Sequence, residues 1–391
     1  MSAPNESEHD LPPLPQAADP DPLGLYIHVP FCVARCGYCD FNTYVPEGEG
    51  EQLRYLEAAL LELRMARERL GERPVATLFI GGGTPTLIGA EPLVRMVDEV
   101  RALFGFAEGA ELTTEANPES VDPGLLTRLR EGGFTRISLG MQSATPHVLK
   151  TLDRVHTPGR AVEAAAQAHA AGFEHVSLDL IYGTPGESDC EWEQTLTSAL
   201  SAAPDHISAY ALTIEPGTAL AAAIKRGRLP APDEDAQARR YVLTDELLEA
   251  AGFECYEISS WSRNEAARCH HNLGYWRSHD WWGIGPGAHS HHRGRRWWNL
   301  RRPADYAKRL AAGRLPIAGQ ELLSTEQLAL EAVLLGLRER RGLELALLDE
   351  QGLRAAREQV ELGRARIDDE RIALTREGRL FADAVARELS N

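Results

Sequence analysis

Cys32, Cys36 and Cys39 fall within eight residues, in the run PFCVARCGYCDF, and their CxxxCxxC spacing carries more chemistry than any other feature of the chain. Thiolates are soft ligands that suit iron–sulfur clusters and zinc. A structural zinc site is normally closed by four ligands, often as separated pairs, so three thiols in one loop fit it poorly. On a four-iron cluster, three cysteines leave one iron open to a small molecule. A zinc loop or three unrelated thiols are the alternatives that spacing alone leaves standing. The remaining cysteines, Cys190, Cys255 and Cys269, are scattered, and six in 391 residues make no disulfide framework. Cys190 and Cys255 read as ordinary buried small residues.

Two other stretches have the composition of sites. Gly81-Gly82-Gly83-Thr84-Pro85 permits close backbone approach and positive φ, which exposes N–H and C=O groups to a ligand. Between residues 261 and 298 lie six of the seven tryptophans and six of the thirteen histidines. Aromatic rings offer a flat apolar ligand a wide contact area, and imidazole is a common axial ligand of haem iron. Arg293, Arg295, Arg296, Arg301 and Arg302 follow and are suited to pair with carboxylates. The plainer reading is a core filled by tryptophan, with histidines bonded to backbone. His28, inside the first strand, reads as a satisfied core histidine.

These residues need a scaffold. Short β-rich runs at 25–29, 77–80, 111–115, 136–139, 176–181 and 207–212 alternate with amphipathic helical patterns, clearest at 52–70. Connections long enough for crossover helices imply parallel strands, as a barrel, a part-barrel or a doubly wound sheet. Chemistry then belongs on loops at the carboxyl ends of the strands, where both the cysteine and glycine motifs fall. After about residue 225 the alternation stops. A helix over 235–251 and a strand over 254–259 lead into the aromatic segment. The last block, ending in RIALTREGRLFADAVARELS, suits a small winged-helix-like module. The expected division is a disordered acidic tail over 1–22, an α/β barrel over 23–225, a linking region over 226–315 and the module over 316–391.

Net charge is −17, from 41 Lys and Arg against 58 Asp and Glu, which argues against a general nucleic-acid binder. No run of about 18 apolar residues predicts a membrane span, and no secretory signal is visible. The expected compartment is the cytoplasm.

YIHVPFC, GGGTPT, TEANPE, ISLGMQS, LDLIYGTPGE and CHHNLGYW…GIGPGAHS together resemble the radical S-adenosylmethionine (SAM) superfamily. Within it they resemble the subfamily of the oxygen-independent coproporphyrinogen III oxidase, which also holds a haem-binding, chaperone-like branch. The resemblance spans residue 25 to near the C-terminus. It implies a partial (β/α)6 parallel barrel. It also implies a 4Fe-4S cluster on Cys32, Cys36 and Cys39, with SAM chelated at the fourth iron and cleaved by one electron to methionine and a 5′-deoxyadenosyl radical. Position by position, Tyr26 and Tyr38 would pack near cluster and SAM, while Gly82, Gly83 and Thr84 would hold the methionyl end. Glu115, Gln142, Arg154, Asp179 and Thr213 would make further SAM contacts. Arg154 is suited to a carboxylate and Asp179 to ribose hydroxyls; an acid in so apolar a strand needs a partner. The HNxxYW pattern, His271, Asn272, Tyr275 and Trp276, is implicated in haem binding, with His271 the axial-ligand candidate and Cys269 a weaker one.

Two departures from the oxidase separate the branches. Its motif carries one more cysteine, where this chain has Phe41, and it has a longer ordered N-terminal segment. Both favour a haem chaperone that passes haem to an acceptor protein, with a respiratory membrane complex among the candidates. A flavodoxin or ferredoxin is the expected type of electron donor; neither nucleic acid nor a membrane anchor is expected. The alternative is the enzyme of porphyrin biosynthesis that decarboxylates coproporphyrinogen III to protoporphyrinogen IX. No catalytic residue is assigned.

Overall fold

The computed structural model describes residues 11–14, 22–154 and 157–390. Six strands, β1 (Leu23–Val29), β2 (Val75–Gly82), β3 (Phe106–Ala116), β4 (Arg136–Gln142), β5 (His175–Tyr182) and β6 (His206–Ala211), pair in parallel in chain order. Helices Glu49–Leu70, Ala90–Leu103, Pro123–Glu131, Arg160–Ala170 and Asp189–Ser201 cross over between them. Local chemistry starts these helices. The Asp122 side chain accepts from Leu125 N, and Ser188 and Glu191 form a reciprocal capping box.

β4 and β5 alternate. On β4, Ile137, Leu139 and Met141 belong to the main core, whereas Arg136, Ser138, Gly140 and Gln142 line the barrel interior. On β5 the same split separates Val176, Leu178 and Leu180 from Ser177, Asp179 and Ile181. A period of two thus gives an apolar outer face under the helices and a polar inner face. The helix layer and strand cores form one continuous apolar cluster.

The sheet does not stop at β6. It continues through β7 (Glu254–Glu257), β8 (Ser260–Ser262), β9 (Asp280–Ile284), β10 (His289–His292), β11 (Arg295–Asn299) and β12 (Ile317–Leu322). The order is β12-β11-β10-β9-β1-β2-β3-β4-β5-β6-β8-β7, an open twelve-stranded sheet. β9 pairs with β1 in parallel, while β8 lies antiparallel to β6. Much of the stretch expected as a link over 226–315 therefore extends both flanks of the barrel. The strand expected over 254–259 ends at Glu257, and a separate strand begins at Ser260.

Beyond the sheet, β13 (Leu343–Glu344), β14 (Ala365–Asp368) and β15 (Arg371–Leu374) form a three-stranded antiparallel sheet. It shares a separate core with neighbouring helices, built from Val333, Leu337, Ile372, Val385 and Leu389 among others. Of the acidic tail expected over 1–22, residues 1–10 and 15–21 lie outside the described residues. Residues 11–14 differ from that expectation: Leu11 and Leu14 are buried in the main core, and Arg69 Nη1 donates to Leu11 O at 2.6 Å. Two leucines offer enough apolar surface to dock even in a charged context. Among the described residues, no helix is long and apolar enough to cross a membrane.

Candidate active and haem site

The cysteine loop leaves the carboxyl end of β1 and is stitched to the glycine loop that leaves β2. Gly83 N donates to Val29 O at 2.8 Å and Thr84 N to Phe31 O at 2.7 Å, while within the cysteine loop Cys32 N donates to Tyr44 O at 3.0 Å. The approach is too tight for a side chain: a Cβ on Gly83 would lie 2.5 Å from Phe31 O and 2.9 Å from Cys32 Sγ. Gly82 adopts φ +114°, and its N–H donates to Glu115 Oε2 at 2.9 Å. On the far side, Arg154 Nη1 lies 3.6 Å from Cys36 Sγ and Nη2 donates to Gly140 O at 3.1 Å. A register shift between Gly140 and Gln142 ends β4, with Gln142 in the left-handed region at φ +64°. Such a bulge re-aims the side chain that follows it.

These elements enclose a cavity of about 540 Å³ at the carboxyl ends of the strands. Cys32, Cys36, Cys39, Tyr26, Tyr38, Gly82, Gly83, Thr84, Glu115, Gln142, Arg154, Asp179 and Thr213 all line it, joined from the opposite wall by His271, Asn272 and Tyr275. Trp276 does not; its ring faces Arg338, 5.8 Å from the guanidinium carbon. Among the described residues, no group of three or more His, Cys, Asp or Glu side chains is arranged to hold a single metal ion.

Burial raises Asp179 above the usual carboxylate range, opposed by Ser138 Oγ, which donates to Oδ2 at 2.7 Å. Asp179 therefore has the partner its strand context demands. Glu115 is pushed up to about 7, first by burial and then by the Asp179 charge. Two acids thus face one chamber, and a cationic ligand would stabilise both.

Helix His270–Trp276 has no side-chain cap from Cys269. Glu111 of β3 replaces it, accepting from His270 N and His271 N, each at 3.1 Å. Both ring nitrogens of His271 are engaged, Nδ1 with Thr77 Oγ1 and Nε2 with Tyr275 Oη, each at 2.8 Å. The ring stacks on Phe79 at 5.1 Å, and burial lowers its pKa to about 4, so it is neutral near pH 7. His271 and Tyr275 also line a second cavity of about 290 Å³ beside the amino ends of β1 and β2. The pair forms part of the wall between the two.

Several expectations need correcting. The five arginines at 293–302 do not line the cavity. Arg296 pairs with Glu321 and Glu331, and Arg295 Nη1 donates to Gln320 at 3.2 Å, because β11 sits beyond β9 and β10 near the edge of the sheet. No tryptophan lines it either. Trp261, Trp282 and Trp297 are buried core, the last two edge to face at 4.9 Å. Cys190 is exposed rather than buried, at the first turn of its helix. Cys269 is buried and lines the cavity, its thiol 3.7 Å from Glu111 Oε1, and burial pushes its pKa far up. His28 is satisfied, by Tyr26 Oη and Asn42 O, both at 2.9 Å. Missed altogether were the inner-face residues Thr113, Arg136, Ser177, His206 and Ser208. For all but Thr113 the signal was present, as polar residues at every second position of RISLG, VSLDL and HISAYA.

Comparison with known proteins agrees with this architecture. The Radical SAM superfamily matches residues 26–199. The heme chaperone HemW of Mycobacterium tuberculosis (strain H37Rv) is 51% identical over 370 residues, covering 94% of this chain and 95% of that protein. The chain belongs to the HemW family of radical SAM proteins. HemW of Escherichia coli is 40% identical over 269 residues, covering 68% of this chain and 70% of that one. The coproporphyrinogen III oxidase HemN of Escherichia coli shares the fold, with a TM-score of 0.81 over 95% of this chain and 91% of its own, at 22% identity. Membership of the superfamily implies a four-iron cluster and SAM as cofactors for this HemW-family chain.

Proposed function

We propose that this protein is a haem chaperone: it binds haem at a radical SAM site and hands it to an acceptor protein. Support comes chiefly from one observation, that the helix carrying His271, Asn272 and Tyr275 walls the same cavity as the three thiols. The names of the HemW relatives point the same way.

The residues fit the cofactors. Cys32, Cys36 and Cys39 supply three soft ligands, and a cubane takes one thiolate per iron, so its ligands need not converge on a point. The cradle at Gly83, which a Cβ would fill, keeps Cys32 and the glycine backbone together. Arg154 Nε is buried without a partner, a donor free for a carboxylate such as that of the methionyl group. When bound, cluster and SAM supply one-electron cleavage chemistry at a sulfonium. The chain's part is to orient and exclude water. Gly82, Gly83 and Thr84 present backbone to the methionyl end; Glu115 and Asp179 offset the ligand's positive charge; Tyr26, Tyr38, Gln142 and Thr213 close the chamber around it.

For haem, His271 is neutral and able to ligate. Thr77 holds Nδ1 and so fixes the ring, and Nε2, bonded here to Tyr275 Oη, would be the nitrogen offered to haem iron. Trp276 serves instead to anchor the helix against Arg338. A one-electron donor such as a flavodoxin or ferredoxin completes the proposed cytoplasmic system.

Two anaerobic measurements on the cluster-loaded protein test this reading. Haem titration is expected to give a saturable Soret shift near one equivalent, weakened in His271→Ala. Incubation with reductant, SAM and coproporphyrinogen III is expected to leave the substrate intact. Brisk decarboxylation without saturable haem binding would establish the oxidase instead.

A further inference from the structure

Arg136 is 1% exposed, and its hydrogen bonding is incomplete. Its Nε donates to Glu111 Oε2 at 3.1 Å, and Nη2 donates to the carbonyls of Ala267 and Arg268 at 2.9 and 2.8 Å. Nη1 is buried with no partner. Glu111 cannot supply one, because its two oxygens already accept from His270 N, His271 N, Cys269 Sγ and Arg136 Nε. Directly across the ladder from Arg136 stands Thr113, fully buried, and its Oγ1 is also without a partner.

Both residues line the 540 Å³ cavity. The strand register pairs Thr113 with Arg136, and Glu115 with Ser138 two residues further along. The Thr113–Arg136 pair is therefore a layer about 7 Å deeper than Glu115, and Asp179, which pairs with Gly140, lies one layer further from it still. Buried polar groups in native proteins are almost always bonded, and a guanidinium N–H left bare is costly. A guanidinium nitrogen with both N–H groups unused and an unused hydroxyl on the neighbouring strand offer donors for the two oxygens of a carboxylate, with charge assistance from the guanidinium.

We propose that Arg136 Nη1 and Thr113 Oγ1 form a carboxylate-binding subsite at the floor of the cavity. The carboxylate is either a propionate arm of haem, a source that rests on the haem reading above, or a small free acid. Glu111 does not forbid it, since its charge is spread over three further donors. The subsite gives the cavity a polarity along the barrel axis: acids where the sulfonium is expected, a cation where a ligand's acidic arm ends.

The test uses the full chain with its cluster reconstituted anaerobically. Haem and haem dimethyl ester are titrated into the natural protein, Thr113→Val and the conservative Thr113→Ser, and the thermal transition of each is followed with added acetate. Haem is expected to bind about tenfold or more tighter than the ester. Thr113→Val should shrink that preference several-fold and Thr113→Ser restore it. Equal binding of the two porphyrins, with acetate stabilising the natural protein but not Thr113→Val, would keep the subsite and assign it to small acids. Equal binding with no acetate effect would overturn the proposal, leaving water on Nη1. If neither porphyrin binds, the haem reading fails by itself, and the acetate arm alone decides the subsite.

Discussion

Gly83 shows how little room the cluster loop has. A Cβ there meets a backbone carbonyl, Phe31 O, at 2.5 Å, so relief must come from moving the loop that carries Cys32. Gly83→Ala should cost about 2 kcal/mol in urea unfolding, as overpacking generally does, and should bind several-fold less iron on anaerobic reconstitution. Glu115 makes a second prediction. With its pKa near 7 it is half ionised at neutral pH, and a cationic ligand prefers the ionised form. SAM affinity measured by calorimetry should therefore rise with pH through about 7, and Glu115→Gln should remove that part of the rise. Residues of this kind were legible where type and spacing specify chemistry by themselves, as with Cys32, Cys36 and Cys39. Charge alone was a poor guide. Arg293 to Arg302 are as basic as Arg136 and Arg154, but nothing in composition says which face of a strand a side chain leaves from.

At the scale of elements, Glu62 holds the first crossover helix to the strands added after the barrel. Its carboxylate accepts from Gly285 N at 2.8 Å, Asn299 Nδ2 at 2.7 Å and Tyr306 Oη at 2.6 Å, all in the buried interior. Burial nevertheless wins, raising its pKa to about 7. The folded protein thus binds this proton more tightly than the unfolded chain, whose carboxyl titrates near 4.5. Its contribution is greatest below pH 4.5 and is lost as pH rises to about 7, on the order of 3 kcal/mol. Urea unfolding from pH 4.5 to 7.5 should show this decline, and Glu62→Gln should lack it. The six parallel strands and their helices were readable because each repeats a local period. β9 to β12 were not, because β9 and β11 carry tryptophans on both faces and the register of the first depends on partners far away in the chain, as in the pairing of Tyr26 with Gly283.

The whole molecule is a polar-lined half-barrel, its open sheet extended on both flanks by late strands and its cavity walled by the helix between them. The C-terminal sheet is tied back to it by ion pairs: Asp245 with Arg376 and Arg379, and Arg277 with Glu339. That closure brings a helix from residue 270 to face thiols from residue 32, a juxtaposition no local pattern encodes. The radical chemistry of the cavity turns on what the three thiols hold. The most direct test is low-temperature EPR of the anaerobically reconstituted, reduced protein, with metal analysis, before and after SAM is added. About four irons per chain are expected, with a cluster signal that changes shape when SAM binds. Stoichiometric zinc in place of iron, or a cluster signal indifferent to SAM, would contradict it.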